Sequence, residues 1–291
     1  MLPNIDPARH RLEVRAELAF AVREGKTRLR RSFAEPPLQV QRVLYRDDYV
    51  PDMAFLFLLN PTPGIFQGDL HSILVNAGPR TRVHLTTPSA AKIYAMPDRD
   101  ARQKLTIELA RDSYLEYCPE PTIPFRGARL RQRISVNVAS GATLIIGDIV
   151  VPGRVASGES FAFHTLDRRL TVTGPTGLPI HHEASLLTPQ SLSPLGRSVL
   201  SEDRPVTGTL LIVAPGHDTN ELKKELRPSL SAKIPGSNGS RLGLSTLPDG
   251  AGLAVKILAT ESQFAKAITR EIVATARHHF LEANPLSRQN R

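Results

Sequence analysis

The segment Ile134-Ser-Val-Asn-Val-Ala-Ser-Gly-Ala-Thr-Leu-Ile-Ile146 decides the fold class. Apolar and polar residues alternate up to Ala139, which is the two-residue period of a strand with one buried face. Ser140-Gly141 supplies a turn, and Thr143–Ile146 resumes an extended apolar run. The same phrase occurs twice upstream. Ile73–Ala77 leads through Gly78-Pro79 to Arg82–Leu85, and Leu105–Ala110 leads through Arg111-Asp112 to Tyr114–Tyr117. The alanines at 77, 110 and 139 lie 33 and 29 residues apart. Paired strands recurring at that spacing predict stacked β-layers, as in a solenoid. The period is not fixed, so a sandwich stays open.

Outward from this core the pattern is also β. Arg11–Phe20 alternates, Thr27–Phe33 and Leu38–Tyr45 read as extended, and Met53–Leu59 is a short apolar run suited to burial on both faces. Leu130, Gln132, Ile134, Val136 and Val138 alternate with one polar exception, Gln132. Arg168–Val172, Thr209–Val213 and Leu253–Ala259 add strands. Two helices are expected: Asn220–Arg227, ended by Pro228, and Ser262–Leu281, where Phe264, Ile268, Ile272, Ala276 and Phe280 recur every four residues. Ser229–Gly243 reads as a mobile loop and the tail Leu286–Arg291 as disordered. The expectation is therefore a mainly β protein, a large irregular β-helix or solenoid-like stack with about two helices, one near the C-terminus. No two-domain boundary is visible.

Composition sets limits. The chain has 291 residues, 24 of them proline and 19 glycine, which favours many turns over long helices. Its longest apolar run, Met53–Leu59, is far short of the ~20 residues of a membrane helix. Met1–His10 carries Asp6, Arg9 and His10 and reads as no secretory leader. One cysteine, Cys118, excludes an intrachain disulfide and suits a reducing cytoplasm. The formal net charge of +9 favours acidic partners. No RNP-like aromatic cluster accompanies the basic residues, so nucleic acid is not the expected partner.

Catalytic signatures are missing. There is no Gly-x-Ser-x-Gly elbow and no His-Glu-x-x-His pair, and Cys118 has no readable histidine partner. His181-His182-Glu183 places its adjacent histidines on opposite faces of a strand. Carboxylates do recur beside apolar runs. Asp69 ends the turn Pro61–Asp69, and Glu116 sits within the apolar strand Tyr114–Tyr117. Glu120 falls among Pro119, Pro121 and Pro124, Asp148 follows Leu144-Ile-Ile-Gly, and Glu159 precedes Phe161 and Phe163. A carboxylate in such a place needs a partner or a polar channel. The bland reading pairs these groups with Lys92, Arg126, Arg129 or Arg154 and has them hold turns.

An ordered set of motifs resembles the UreD (UreH) family of urease accessory proteins. The matching stretches are Pro37-Leu38-x-Val40-Gln41, Gly64-Ile-x-x-Gly68-Asp69, Thr86-Thr87-Pro88-x-Ala90-x-Lys92-x-Tyr94 and Leu115-Glu116-Tyr117-x-Pro119-Glu120-Pro121-x-Ile123-x-Phe125-x-Gly127-Ala128. Asp148, Gly153-Arg154, Glu159-x-Phe161 and Leu247-Pro248-Asp249-Gly250 follow in order. The likeness covers most of residues 11–281. The chain departs at Pro63 and Gln67, where the family usually has glycine.

The resemblance implies a single UreD-like domain over 1–291 and a non-enzymatic, cytoplasmic maturation chaperone. Such proteins bind urease apoprotein, UreF and, through UreF, the GTPase UreG, and they help insert nickel into the urease metallocentre. It implies no permanently bound cofactor and no membrane partner, with nickel in transit through an internal channel. On that expectation Asp69, Glu116, Glu120, Asp148 and Glu159 line or support the nickel path. Two other readings stay open: a basic β-scaffold for protein or anionic partners, and a diverged paralogue that does not handle nickel.

Overall fold

The computed structural model describes residues 12–189, 206–234 and 239–282. The expectations for Met1–His10 and for the tail Leu286–Arg291 lie outside the described residues. The strands are β1 (Glu13–Arg23), β2 (Lys26–Ala34), β3 (Gln39–Val40), β4 (Ala54–Leu59), β5 (Leu70–Ala77), β6 (Arg82–Thr86), β7 (Ala91–Ile93), β8 (Ala101–Leu109) and β9 (Tyr114–Tyr117). They continue with β10 (Thr122–Pro124), β11 (Arg129–Val138), β12 (Thr143–Val150), β13 (Thr165–Thr173), β14 (Pro179–Leu187) and β15 (Val206–Val213). Helix α1 (Asn220–Lys233), β16 (Arg241–Thr246), β17 (Gly252–Ala259) and helix α2 (Ser262–Glu282) complete the described chain.

The three repeated phrases are successive coils of a two-sheet β-solenoid. Their first strands, β5, β8 and β11, are parallel neighbours in a seven-stranded sheet of order β14-β13-β11-β8-β5-β1-β2. Their second strands, β6, β9 and β12, are parallel neighbours in a ten-stranded sheet. The turns between them stack. Thr81, Ser113 and Ala142 each donate their N–H to the carbonyl three residues earlier, and Arg80 and Asp112 donate to the next turn at Arg111 and Ser140. Gly141 takes φ +71° in its turn, and a Cβ there would strike the Asp112 carboxylate. The solenoid ends in antiparallel hairpins, β1 with β2 and β13 with β14, while β15, β16 and β17 extend the second sheet.

The alternation read along the chain is the packing pattern. Val75, Leu105, Ile107, Ile134 and Val136 point inward and meet Leu85, Leu115, Leu144 and Leu211 from the other sheet. A second core packs the far side of the ten-stranded sheet against α1 and α2 through Leu222, Leu226, Ile268, Ile272 and Phe280. Each such side chain contributes roughly 1.5–3 kcal/mol when fully buried, so α2 is held by tertiary packing rather than by propensity.

Three segments differ from expectation. The stretch Leu38–Tyr45 holds only β3 and a single bridge from Leu44 to Phe55, because Gln39, Gln41 and Arg42 offer no apolar face. Helix α1 runs through Pro228 to Lys233. Pro228 is exposed, and so is Lys224, whose carbonyl it would leave unpaired; water can satisfy that group. Ser229–Gly243 is therefore not one loop: it begins as helix and ends as β16, an edge strand paired to β17 with Leu242 and Leu244 against the second core.

The loop before β5 joins the coil by a close approach. A Cβ on Gly64 would lie 2.4 Å from the Lys92 carbonyl oxygen and 2.7 Å from the Tyr94 ring. Ile65 donates to Lys92 and Tyr94 donates back to Ile65. Gln67, one of the two departures from the family pattern, accepts from the Asp98 and Arg99 amides. Gly64→Ala is expected to cost about 1–3 kcal/mol by overpacking. An unchanged urea midpoint would contradict this packing.

Candidate functional site

The polar exception in β11 belongs to a row. His71, Gln103, Gln132 and Arg168 occupy facing positions on β5, β8, β11 and β13 and point between the sheets. The amide of Gln132 donates to Gln103 Oε1 at 3.3 Å, and Arg168 Nε donates to Gln132 Oε1 at 3.2 Å. The Arg168 guanidinium reaches across to the Asp148 carboxylate on β12. Burial pulls Arg168 down to about 10, against a smaller opposing influence from Glu183. Asp148 faces Thr209, and Thr209 faces Lys256, whose ammonium donates to Thr209 Oγ1 at 3.0 Å and to Glu183 at 2.5 Å. A polar seam thus crosses the interior and reaches the surface at Lys256; hydrogen bonds link its members in turn, while Glu183 Oε2 and His181 Nε2 are buried without a hydrogen bond among the described residues.

Two cavities adjoin this region. The first, about 200 Å³, is walled by His71, Gln103, Tyr117, Glu120, Gln132 and Asp148 among others. The second, about 290 Å³, lies under α2 and is walled by His84, Cys118, Glu120, Lys266, Arg270 and Arg277 among others. Pro119 and Glu120 line both. Glu120 Oε2 is 2.6 Å from the Lys266 ammonium, so the carboxylate shared by the cavities is tied to α2.

His71 is buried, and desolvation lowers it from 6.5 to about 4. It is neutral near pH 7, where its imidazole has a lone pair to offer. Because the unfolded chain takes up the proton first, His71 erodes stability as pH falls from about 6.5 to about 4. His71→Gln is expected to flatten that part of the stability–pH curve. A curve equally steep in the variant would contradict this environment.

The remaining predicted carboxylates wall neither cavity. Glu116 is fully buried. It accepts from Arg277 Nε at 2.8 Å and Nη2 at 2.7 Å, from Tyr114 Oη at 2.8 Å, and contacts His84 Nδ1 at 2.5 Å. Burial would raise its carboxyl, but the Arg277 and His84 hydrogen bonds outweigh burial and hold it below the ordinary range. Arg277 also binds Asp47 at 2.7 Å. Asp69 closes its own turn by accepting from the Phe66 amide at 2.8 Å, and burial raises its carboxyl. Glu159 accepts from Arg154 at 2.6 Å and from the Arg126 amide at 2.9 Å, and the Arg154 hydrogen bond lowers it. Arg129 donates to the Met96 carbonyl, and Lys92 is exposed. Burial raises the Cys118 thiol. His182 turns out to Thr171, while His181 turns inward with its Nε2 3.6 Å from Glu183.

The structure thus brings Glu120 and Asp148 to one cavity and leaves Asp69, Glu116 and Glu159 outside both, each held by hydrogen bonds in its own surroundings. Sequence reasoning passed over Arg277, Lys266, Arg168, His84 and His71. Gln132 was the signal for the seam. Arg277, next to the stripe residue Ala276, gave a weaker one for the helix contact. Among the described residues no group of three or more His, Cys, Asp or Glu side chains is placed to hold a metal ion. None of the described helices is long and apolar enough to cross a membrane.

The fold and interior define a class: a mainly β, two-sheet solenoid capped by helices, with a polar seam and paired cavities inside. The chain belongs to the UreD family of urease accessory proteins, since the family model described as UreD urease accessory protein matches residues 13–291. The Haloarcula marismortui urease accessory protein UreD is 34% identical over 267 residues, covering 92% of this chain and 87% of the relative. The Streptomyces griseus urease accessory protein UreD 2 is 33% identical over 271 residues, covering 92% and 90%. The Cenarchaeum symbiosum UreD is 32% identical over 242 residues. The family is accessory to urease maturation and is not itself enzymatic.

Proposed function

We propose that this chain is a cytoplasmic urease maturation chaperone that binds urease apoprotein and UreF, engages UreG through UreF, and passes nickel through its interior. The observation that carries the reading is the pair of adjoining cavities that share Glu120, each with carboxylate or imidazole groups set in a largely apolar lining. Nickel(II) accepts carboxylate, imidazole and water ligands. A conduit needs weak, exchangeable sites so that the ion both enters and leaves. Glu120, Asp148 and neutral His71 offer such ligands in one cavity, and each carboxylate has a cation, Lys266 or Arg168, to re-pair with after the ion has gone. Asp69, Glu116 and Glu159 support the path by fixing the loop, the helix and the turn around it. Nickel is cargo, not a resident cofactor.

The test is co-purification. The tagged chain is co-expressed with UreF, UreG and urease apoprotein from one source. Retention of the partners, with urease activity lost when the chain is omitted, is expected. No partner retained and no effect of omission would overturn the reading. Partners retained without any effect on activity would point to a paralogue that does not handle nickel.

A further inference from the structure

The outward face of the seven-stranded sheet carries an unusual row pattern. Lys104, Arg133 and Arg169 face one another on β8, β11 and β13, and Arg102 faces Arg131 one pleat away. Like charges directly opposite one another destabilise a sheet. Neighbouring strands are only about 4.8 Å apart, so these five cations crowd within a small area. Compensation is partial. Asp167 contacts Arg133 at 2.6 Å, Arg131 at 3.5 Å and Arg169 at 3.9 Å, and Asp100 contacts Arg131 at 3.2 Å. Arg102 and Lys104 are exposed, and neither has a carboxylate within ion-pair distance among the described residues. No ion pair within the chain compensates these two cations among the described residues.

We infer that this face docks an acidic protein surface, and that the partner is a member of the urease maturation complex; in this the inference rests on the function proposed above. Three features favour a protein over a nucleic acid. The next register row along the strands is Leu74, Thr106, Ser135 and Thr171, one apolar and three short hydroxyl side chains suited to contact with another folded surface. The five cations and their facing neighbours include no aromatic side chain on which a base could stack. The Asp167 and Asp100 carboxylates inside the patch repel a continuous phosphate backbone but can accept hydrogen bonds from a mixed protein surface. The chain's net charge of +9 gives the face a long-range pull on an acidic partner at low salt.

The test uses the full-length chain and measures binding to purified urease apoprotein and purified UreF separately. The variant R102E/K104E reverses two charges on the face. The control R111E/R227E makes the same change in net charge at exposed positions elsewhere. The expected result is a loss of about tenfold or more in affinity for one partner, roughly 1.4 kcal/mol, with the other partner and the control unaffected. The milder R102Q/K104Q moves the same affinity in the same direction and guards against a folding effect. Wild-type binding to that partner should also weaken as ionic strength rises from about 0.01 to 0.15 M, where screening shortens from about 30 to 8 Å. Unchanged binding of both partners by R102E/K104E would overturn the inference. Loss of poly(U) RNA binding in that variant with both protein partners retained would overturn it in favour of a nucleic-acid face. A wild-type chain that binds neither partner would overturn the proposed function, and the inference with it.

Discussion

Replacing Arg277 with methionine is expected to lower folding stability by about 3–5 kcal/mol, because it leaves the Glu116 carboxylate buried without its counter-charge. Glu116 is wholly inaccessible, and the Arg277 side chain is 19% exposed, so solvent screens their interaction little. The pair joins residues 161 positions apart and ties α2 to β9. Asp47 shares the same guanidinium, and its own side chain accepts from the Tyr49 and Val50 amides, so the loop before β4 loosens as well. The double variant E116Q/R277M should recover part of the loss, since the stranded charge is then gone. The pH dependence provides a second readout. The carboxyl of Glu116 lies below its ordinary 4.5 in the folded chain, so its contribution is present above about 4.5 and fades as pH falls through the lower folded value. R277M should lack that acid-side fade. Urea midpoints of wild type and R277M that coincide at pH 7 would show that α2 is held by its apolar stripe alone.

Reversing Glu120 to lysine is expected to abolish most urease activation while leaving partner binding intact. Glu120 lines both cavities and holds Lys266 at 2.6 Å. In the variant two ammonium groups meet where an ion pair stood. On the proposed path, a nickel ion passing between the cavities would then face repulsion where Glu120 had offered a ligand. An added barrier of only 1.4 kcal/mol slows passage roughly tenfold, and two like charges beside a divalent ion in a partly dehydrated site exceed that. Glu120→Gln keeps the size and an acceptor oxygen but loses the charge, and should fall between wild type and lysine. Whole-cell urease activity, normalised to co-purified urease, reads both variants. Full activity in E120K with partners bound would remove Glu120 from the path.

Local periodicity revealed the solenoid because each coil carries its own alternation and its own turn residues. Gly78-Pro79, Arg111-Asp112 and Ser140-Gly141 mark turns that stack in space. The α2 stripe was equally plain, since Ile268, Ile272, Ala276 and Phe280 are all buried. What escaped depends on contacts far apart in sequence. Helix α1 continues past Pro228 because Leu230 is buried in the second core beyond the proline. The strand β16 is polar enough to read as loop and exists through pairing with β17. The candidate site was legible as isolated carboxylates, but their partners were not. No spacing rule links Glu116 to Arg277, Asp148 to Arg168 or Glu120 to Lys266, because the coil and the helix bring them together only in three dimensions. Gln132 showed that the interior was polar at one level, and the register of β5, β8, β11 and β13 turned that single residue into a row.

The most direct test of nickel passage through this chain is the nickel content of urease matured with purified components. Urease apoprotein is incubated with UreF, UreG, GTP and limiting nickel, with or without this chain, then re-isolated and analysed for bound metal. Nickel-loaded urease is expected only when the chain is present, with little loading when E120K replaces it. Equal nickel loading with and without the chain would contradict such passage.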